Sequence, residues 1–83
     1  MTLDILTPDV KVFSGEVYGV NLPGALGSFE ILDKHAPLVS NLGKGVITIR
    51  KTAKDAEKIV IDGGLVEVLN NKVVVLVDAI VKQ

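Results

Sequence analysis

No cysteine and no tryptophan occur among these 83 residues, and the chain has one histidine, one tyrosine and two phenylalanines. Without cysteine, neither a disulfide nor a thiolate metal site can reinforce the fold, so stability must come from aliphatic packing or from a partner. A single imidazole, His35, with only Asp33 and Glu30 close by in sequence, is a poor ligand set for a metal. Catalysis lacks its machinery as well. Ser14, Ser28 and Ser40 could each be set beside His35, but no segment resembles a nucleophile elbow or supplies an oxyanion hole. An excess of either charge is also missing: nine basic and ten acidic residues are interspersed, without the basic footprint that phosphate-dominated nucleic-acid binding needs. The longest unbroken aliphatic run, Val73 to Val77, falls far short of the ~20 residues that cross a bilayer as a helix. At the start of the chain Asp4 and Pro8 interrupt any apolar stretch and no basic or Arg-rich region precedes Leu3, so no signal or transit segment is expected and the chain reads as cytosolic.

What is present is β-branched. Fourteen valines and seven isoleucines favour a pleated surface over a helix. The chain is long enough for one domain, residues 1–83, burying roughly 60–65% of the surface its unfolded form exposes. A mean hydropathy of +0.47 is high for so small a domain and implies apolar side chains outside the intramolecular core. Turn residues divide the sequence into strands expected at Leu3–Thr7, Val10–Phe13, Glu16–Leu22, Gly27–Ile31, Leu38–Asn41, Gly45–Lys51, Glu57–Ile61, Leu65–Leu69, Lys72–Val77 and Ala79–Val81. Short strands at regular spacing with no long helical pattern predict an all-β fold, an antiparallel β-sandwich. Lys51 to Ala56 reads as a hairpin loop, and Asp62-Gly63-Gly64 as a tight hairpin between Ile61 and Leu65. Leu22 to Gly27 is a turn in which Pro23 presets φ and glycine supplies positive φ. It is not a phosphate loop, because Ser28 to Ile31 alternates like a strand and no Gly-Lys-Ser/Thr follows.

The most determinate local reading concerns Leu65 to Val77. Asn70-Asn71 tolerates the positive φ of a two-residue hairpin turn, which sets Leu69 opposite Lys72, Val68 opposite Val73, Glu67 opposite Val74, Val66 opposite Val75 and Leu65 opposite Leu76. Side chains alternate between faces, so Val66, Val68, Val73, Val75 and Val77 form one aliphatic face that belongs in the core. The other face carries Leu65, Leu69, Val74 and Leu76 around Glu67. Looking outward from a sandwich, such a patch is either a partner site or is covered by a neighbouring loop or terminus.

Seven segments, in order, then carry a family likeness: F-S-G-x-V from Phe13, L-P-G-x-x-G-x-F from Leu22, I-L-x-x-H-A-P-L from Ile31, GVITI from Gly45, Gly63-Gly64, Glu67-Val68, and NKVVVLVD from Asn71 to Asp78. Together they resemble the N-terminal domain of the epsilon subunit of rotary ATP synthases, called delta in mitochondria, over about Leu3 to Val81. The resemblance implies a sandwich of two five-stranded sheets that binds the gamma subunit through one sheet face and the c-ring through loops at one end, Ala25 to Phe29 and the His35 loop. By position it implies c-ring contacts at Ser28, Glu30 and His35, and gamma contacts at Val39, Val46, Glu67 and Val74. The implied role is that of a non-catalytic rotor subunit, without cofactor or small-molecule ligand, held peripherally at the cytoplasmic face of the bacterial inner membrane and coupling ion-driven rotation to ATP synthesis. The alternative is a β-sandwich interaction module of another assembly. Many relatives have an acidic residue where this chain has Ser28 and glycine where it has Glu30, so the acidic c-ring contact is expected to have shifted by two positions. Relatives continue into two C-terminal helices where this sequence reaches Gln83, and helix-dependent inhibition is therefore not expected of it.

Overall fold

Alternation of β-branched and polar residues resolves into nine strands in the computed structural model, which describes residues 1–81. They are β1 (Thr2–Leu6), β2 (Lys11–Glu16), β3 (Gly19–Gly24), β4 (Gly27–Leu32), β5 (Leu38–Leu42), β6 (Gly45–Arg50), β7 (Ala56–Ile61), β8 (Gly64–Leu69) and β9 (Lys72–Val77). Hydrogen bonding joins them into a curled sheet with two halves, β2-β1-β9-β8-β5 and β4-β3-β6-β7, connected where Gly24 of β3 meets Leu42 of β5. Inward side chains from both halves form one aliphatic core that includes Leu3, Ile5, Leu22, Ile31, Ile47, Ile49 and Ile61, all fully buried. This is a β-sandwich whose layers remain linked along one side.

The hairpin at Asn70-Asn71 has the expected register at every rung from Leu69↔Lys72 to Leu65↔Leu76. Both asparagines take positive φ, 51° and 61°, as a type I′ turn requires. Val66, Val68, Val73, Val75 and Val77 are all buried, so the aliphatic face does enter the core. The Lys51–Asp55 segment closes the β6–β7 hairpin, with Lys51 N–H donating to Asp55 O and the Thr52 hydroxyl oxygen accepting from the amides of Lys54 and Asp55.

Four expectations change. Asp62-Gly63-Gly64 is not a hairpin, since β7 pairs with β6 while β8 pairs with β5 and β9; the segment carries the chain from one half to the other. Gly63 turns it at φ 146°, and a Cβ on Gly64 would run into the Leu76 carbonyl oxygen. The strand expected at Glu16–Leu22 is broken by another such crossing: Glu16 ends β2, and Val17-Tyr18 steps between the halves before β3 begins at Gly19. One pair departs from the antiparallel pattern, because β1 lies parallel to β9, from Thr2↔Lys72 to Leu6↔Leu76. Ala79–Val81 forms an isolated bridge, Ile61↔Ile80, with Val81 N–H donating to Val60 O at 2.8 Å. It is a rudimentary fifth member of the four-stranded half.

Candidate functional site

The outer face of the five-stranded half is built by the period-2 alternation that fills the core. Each buried valine of β8 and β9 leaves its neighbour outside, and the registers align these neighbours in a row across the strands: Val39 of β5, Glu67 of β8, Val74 of β9, Asp4 of β1 and Ser14 of β2. Leu65 and Leu76 pair in the rung on one side of that row, and Leu69 stands opposite Lys72 on the other. Val39 is 64% exposed, Leu69 52% and Leu76 47%. No loop among the described residues covers them, so the reading in which a loop or terminus hides this patch does not hold. Asp4 accepts a hydrogen bond from the Ser14 hydroxyl at 2.6 Å. The sequence reading did not include Asp4 in this surface, although its place between the inward Leu3 and Ile5 was sufficient to point it outward.

Three of the four residues expected on one docking face thus stand together: Val39, Glu67 and Val74. Val46 does not join their row. It alternates with the buried Ile47, pairs with Val60 of β7 and lies on the outside of the four-stranded half, 40% exposed.

Ser28 and Glu30 also point outward together, from β4, whose one strand neighbour is β3. Phe29 and Ile31, alternating with them, turn inward. The two loops expected at one end of the sandwich do not share an end. Strand β4 separates them, and at about 3.3 Å per residue it sets Gly27 roughly 17 Å from Leu32. Ser28, Glu30 and His35 are therefore distributed along an edge strand and the turn that follows it. At the near end Ala25 and Leu26 form the β3–β4 turn, braced by Ala25 N–H to Asn41 O at 3.1 Å, with Leu26 wholly exposed. A shallow cleft of about 470 Å³ lies between this turn and β5, lined by Phe29, Val39 and Asn41 among others.

At the far end, Lys34 takes positive φ of 63° and its N–H donates to Asn71 Oδ1 at 2.7 Å, while Asn71 Nδ2 donates to Asp33 Oδ1 at 2.7 Å. The tip of the β8–β9 hairpin therefore pins the His35 turn. That bond from Asn71, which favours the carboxylate, holds the Asp33 pKa below its ordinary value. The His35 ring donates from Nδ1 to Ala36 O at 2.7 Å, a local anchor for the turn. Glu30 accepts from Arg50 Nε at 3.0 Å. Among the described residues no group of three or more His, Asp or Glu side chains is placed to hold a metal ion.

A small β-sandwich with a partly apolar outer face left open on one half and a polar edge strand on the other is the class that fold and surface define. Comparison with known proteins gives the family. The model of the ATP synthase delta/epsilon chain β-sandwich domain matches residues 1–83, and the chain belongs to that family. It is 43% identical over 81 residues to the ATP synthase epsilon chain of Sulfurimonas denitrificans, covering 98% of this chain and 62% of that one. To the epsilon chain of Chlorobium limicola it is 41% identical over 76 residues, covering 92% and 86%. Against most such relatives it thus spans about three-fifths of their length, as with the 61% for Leptospira borgpetersenii. Two solved structures share the fold: a chain of the Tetrahymena thermophila mitochondrial ATP synthase central stalk and c-ring (TM-score 0.83, 17% identity, 98% of this chain and 65% of that one), and a chain of the Euglena gracilis mitochondrial ATP synthase (TM-score 0.88, 21% identity, 95% and 51%).

Proposed function

We propose that this protein is a non-catalytic central-stalk subunit of a rotary, proton-translocating ATP synthase, joining the gamma subunit to the c-ring so that ion-driven rotation reaches the catalytic head. On this reading gamma docks on the outer face of the five-stranded half, at Val39, Glu67 and Val74, with Val46 a more distant contact. The c-ring meets the β4 edge and the His35 turn. The domain sits peripherally at the cytoplasmic face of the bacterial inner membrane, through the complex. Torque transmission asks for a stiff body with two separate contact surfaces and no chemistry of its own. The observation that carries the reading is the open row Val39, Glu67, Val74 on a chain of the ATP synthase delta/epsilon family.

Val74→Lys tests it. A lysine there stays hydrated in the free domain but is desolvated on docking, and an unpaired buried interfacial charge costs about 2–5 kcal/mol. Affinity for gamma should drop by tens to thousands of times while the thermal melt of the free domain stays close to that of the parent. Co-purification of the parent protein with gamma and an isolated c-ring is the companion experiment. Failure of the parent to bind either one sinks the proposal.

A further inference from the structure

Glu30 stands on the surface read above as c-ring-facing, at the position to which the family's acidic contact is expected to have moved. In the structure one of its carboxylate oxygens already has a partner. Arg50 of β6 donates to Glu30 Oε2 through Nε at 3.0 Å, and the two side chains are 46% and 35% exposed. The strands bearing them are not neighbours. Asn21 of β3 pairs with Glu30 on one side and Thr48 on the other, and Gly19 pairs with Leu32 and Arg50. The bond therefore spans β3 diagonally, across two strand spacings of about 4.8 Å each, a reach suited to arginine. Gly19 has no side chain to obstruct it, and Leu32 closes over that glycine so tightly that a Cβ there would come within 2.7 Å of Leu32 Cδ2. Since β4 is hydrogen-bonded to β3 alone, this tie is the one ion pair that fastens the edge strand to the rest of its half among the described residues.

We infer that Arg50 is a positioning residue for the c-ring-facing edge. It holds Glu30 as an internal brace, so the acidic contact has not moved to Glu30, and Ser28 and the His35 turn are left to meet the ring. This rests on the assignment of the β4 edge to the c-ring. With the negative charge neutralised inside the molecule, the complementary patch on the ring has no need of a cation opposite Glu30. Both members of the pair matter to docking only through the placement of β4.

The test is a cycle of Glu30→Ala, Arg50→Ala, the double alanine variant and the charge swap Glu30→Arg with Arg50→Glu, each read twice. The first reading is affinity for an isolated c-ring in the presence of gamma. The second is amide hydrogen exchange of β4 in the free protein. A brace predicts that either alanine variant weakens ring binding to a similar degree, about threefold to tenfold, with the double no worse than a single, because contacting residues couple. It also predicts faster exchange along β4 in both singles, and recovery of binding and exchange together in the swap. If Glu30 touches the ring itself, Arg50→Ala leaves affinity unchanged and the swap stays as weak as Glu30→Ala, which overturns the inference. Unchanged β4 exchange in both singles overturns it too. A parent protein that fails to bind the ring while its β4 exchange follows the brace pattern removes the c-ring assignment and leaves the brace standing.

Discussion

At Asn71 one side chain serves two structures. Its backbone, at φ 61°, completes the turn between β8 and β9, and its amide reaches out to Lys34 N–H and to Asp33 Oδ1. The two roles can be separated. Asn71→Gly keeps the turn, for which glycine is at ease with positive φ, and removes the pin on the His35 turn. Asn71→Ala removes the pin and also leaves in the left-handed conformation a residue that has neither glycine's freedom nor asparagine's local hydrogen bonding, at a cost of roughly 1–2 kcal/mol relative to glycine. Chemical denaturation should therefore rank parent, Gly and Ala in falling order, and Ala as stable as Gly would show that the turn does not demand the conformation. Asp33 supplies a pH-dependent companion. Its pKa in the fold is lowered from 3.8, chiefly by the Asn71 bond, so the stability it contributes is fully present above 3.8 and is lost as pH falls through the folded value. The stability difference between parent and Asp33→Ala, followed by urea midpoints, should hold steady from about pH 7 to 5 and shrink below about pH 4. In an Asn71→Gly background most of that difference should be gone at every pH. The asparagines were legible as a turn from sequence, because their tolerance of positive φ is intrinsic. The pin was not, since nothing in the chain brings position 71 next to position 33.

Among the elements, the β8–β9 hairpin has two faces that are both rich in aliphatic residues and have opposite fates. On the inner one, Val68 is 2% exposed and Val75 fully buried. Truncating either to alanine removes methyl groups from packed surroundings and should lower stability by about 1–3 kcal/mol. Denaturation midpoints unchanged in both variants would put these valines on the outside and reverse the register. This hairpin was readable in full because alternation, turn chemistry and register all act within thirteen residues, Leu65 to Val77. The β6–β7 hairpin was readable for the same reason. The crossings at Val17-Tyr18 and Asp62-Gly63-Gly64 were not, as a glycine turn looks alike whether the next strand returns beside the last or leaves for the other half. The same limit explains the edge strand. The resemblance implied two loops, Ala25 to Phe29 and the one at His35, at one end of the sandwich, but the six residues of β4 lie extended between them. Period-2 patterning tells which side chains share a face, and it grouped Glu67 with Val74; Val39 and Val46 were set beside them by the family resemblance alone. Alternation says nothing of which strands become neighbours, and the registers put Val39 in that row and Val46 on the other half.

For the molecule as a whole, a core drawn from both halves and a sheet continuous through Gly24↔Leu42 make one body, as the proposed coupling role requires. Single-domain folding should accordingly be all-or-none in denaturant. The parallel pairing of β1 with β9 adds a constraint in time. Thr2 meets Lys72 and Leu6 meets Leu76, contacts that span nearly the whole chain and place folding among the slower topologies, in the millisecond-to-second range. Pulse-labelled hydrogen exchange during refolding should find Leu3 and Ile5 protected together with β9; protection of β1 ahead of β9 would mean that the β1–β2 hairpin stands alone. On the ribosome the consequence is sharper. Strand β1 has to wait, with one edge open, for β9, and the sandwich closes only when Val77 has cleared the exit tunnel.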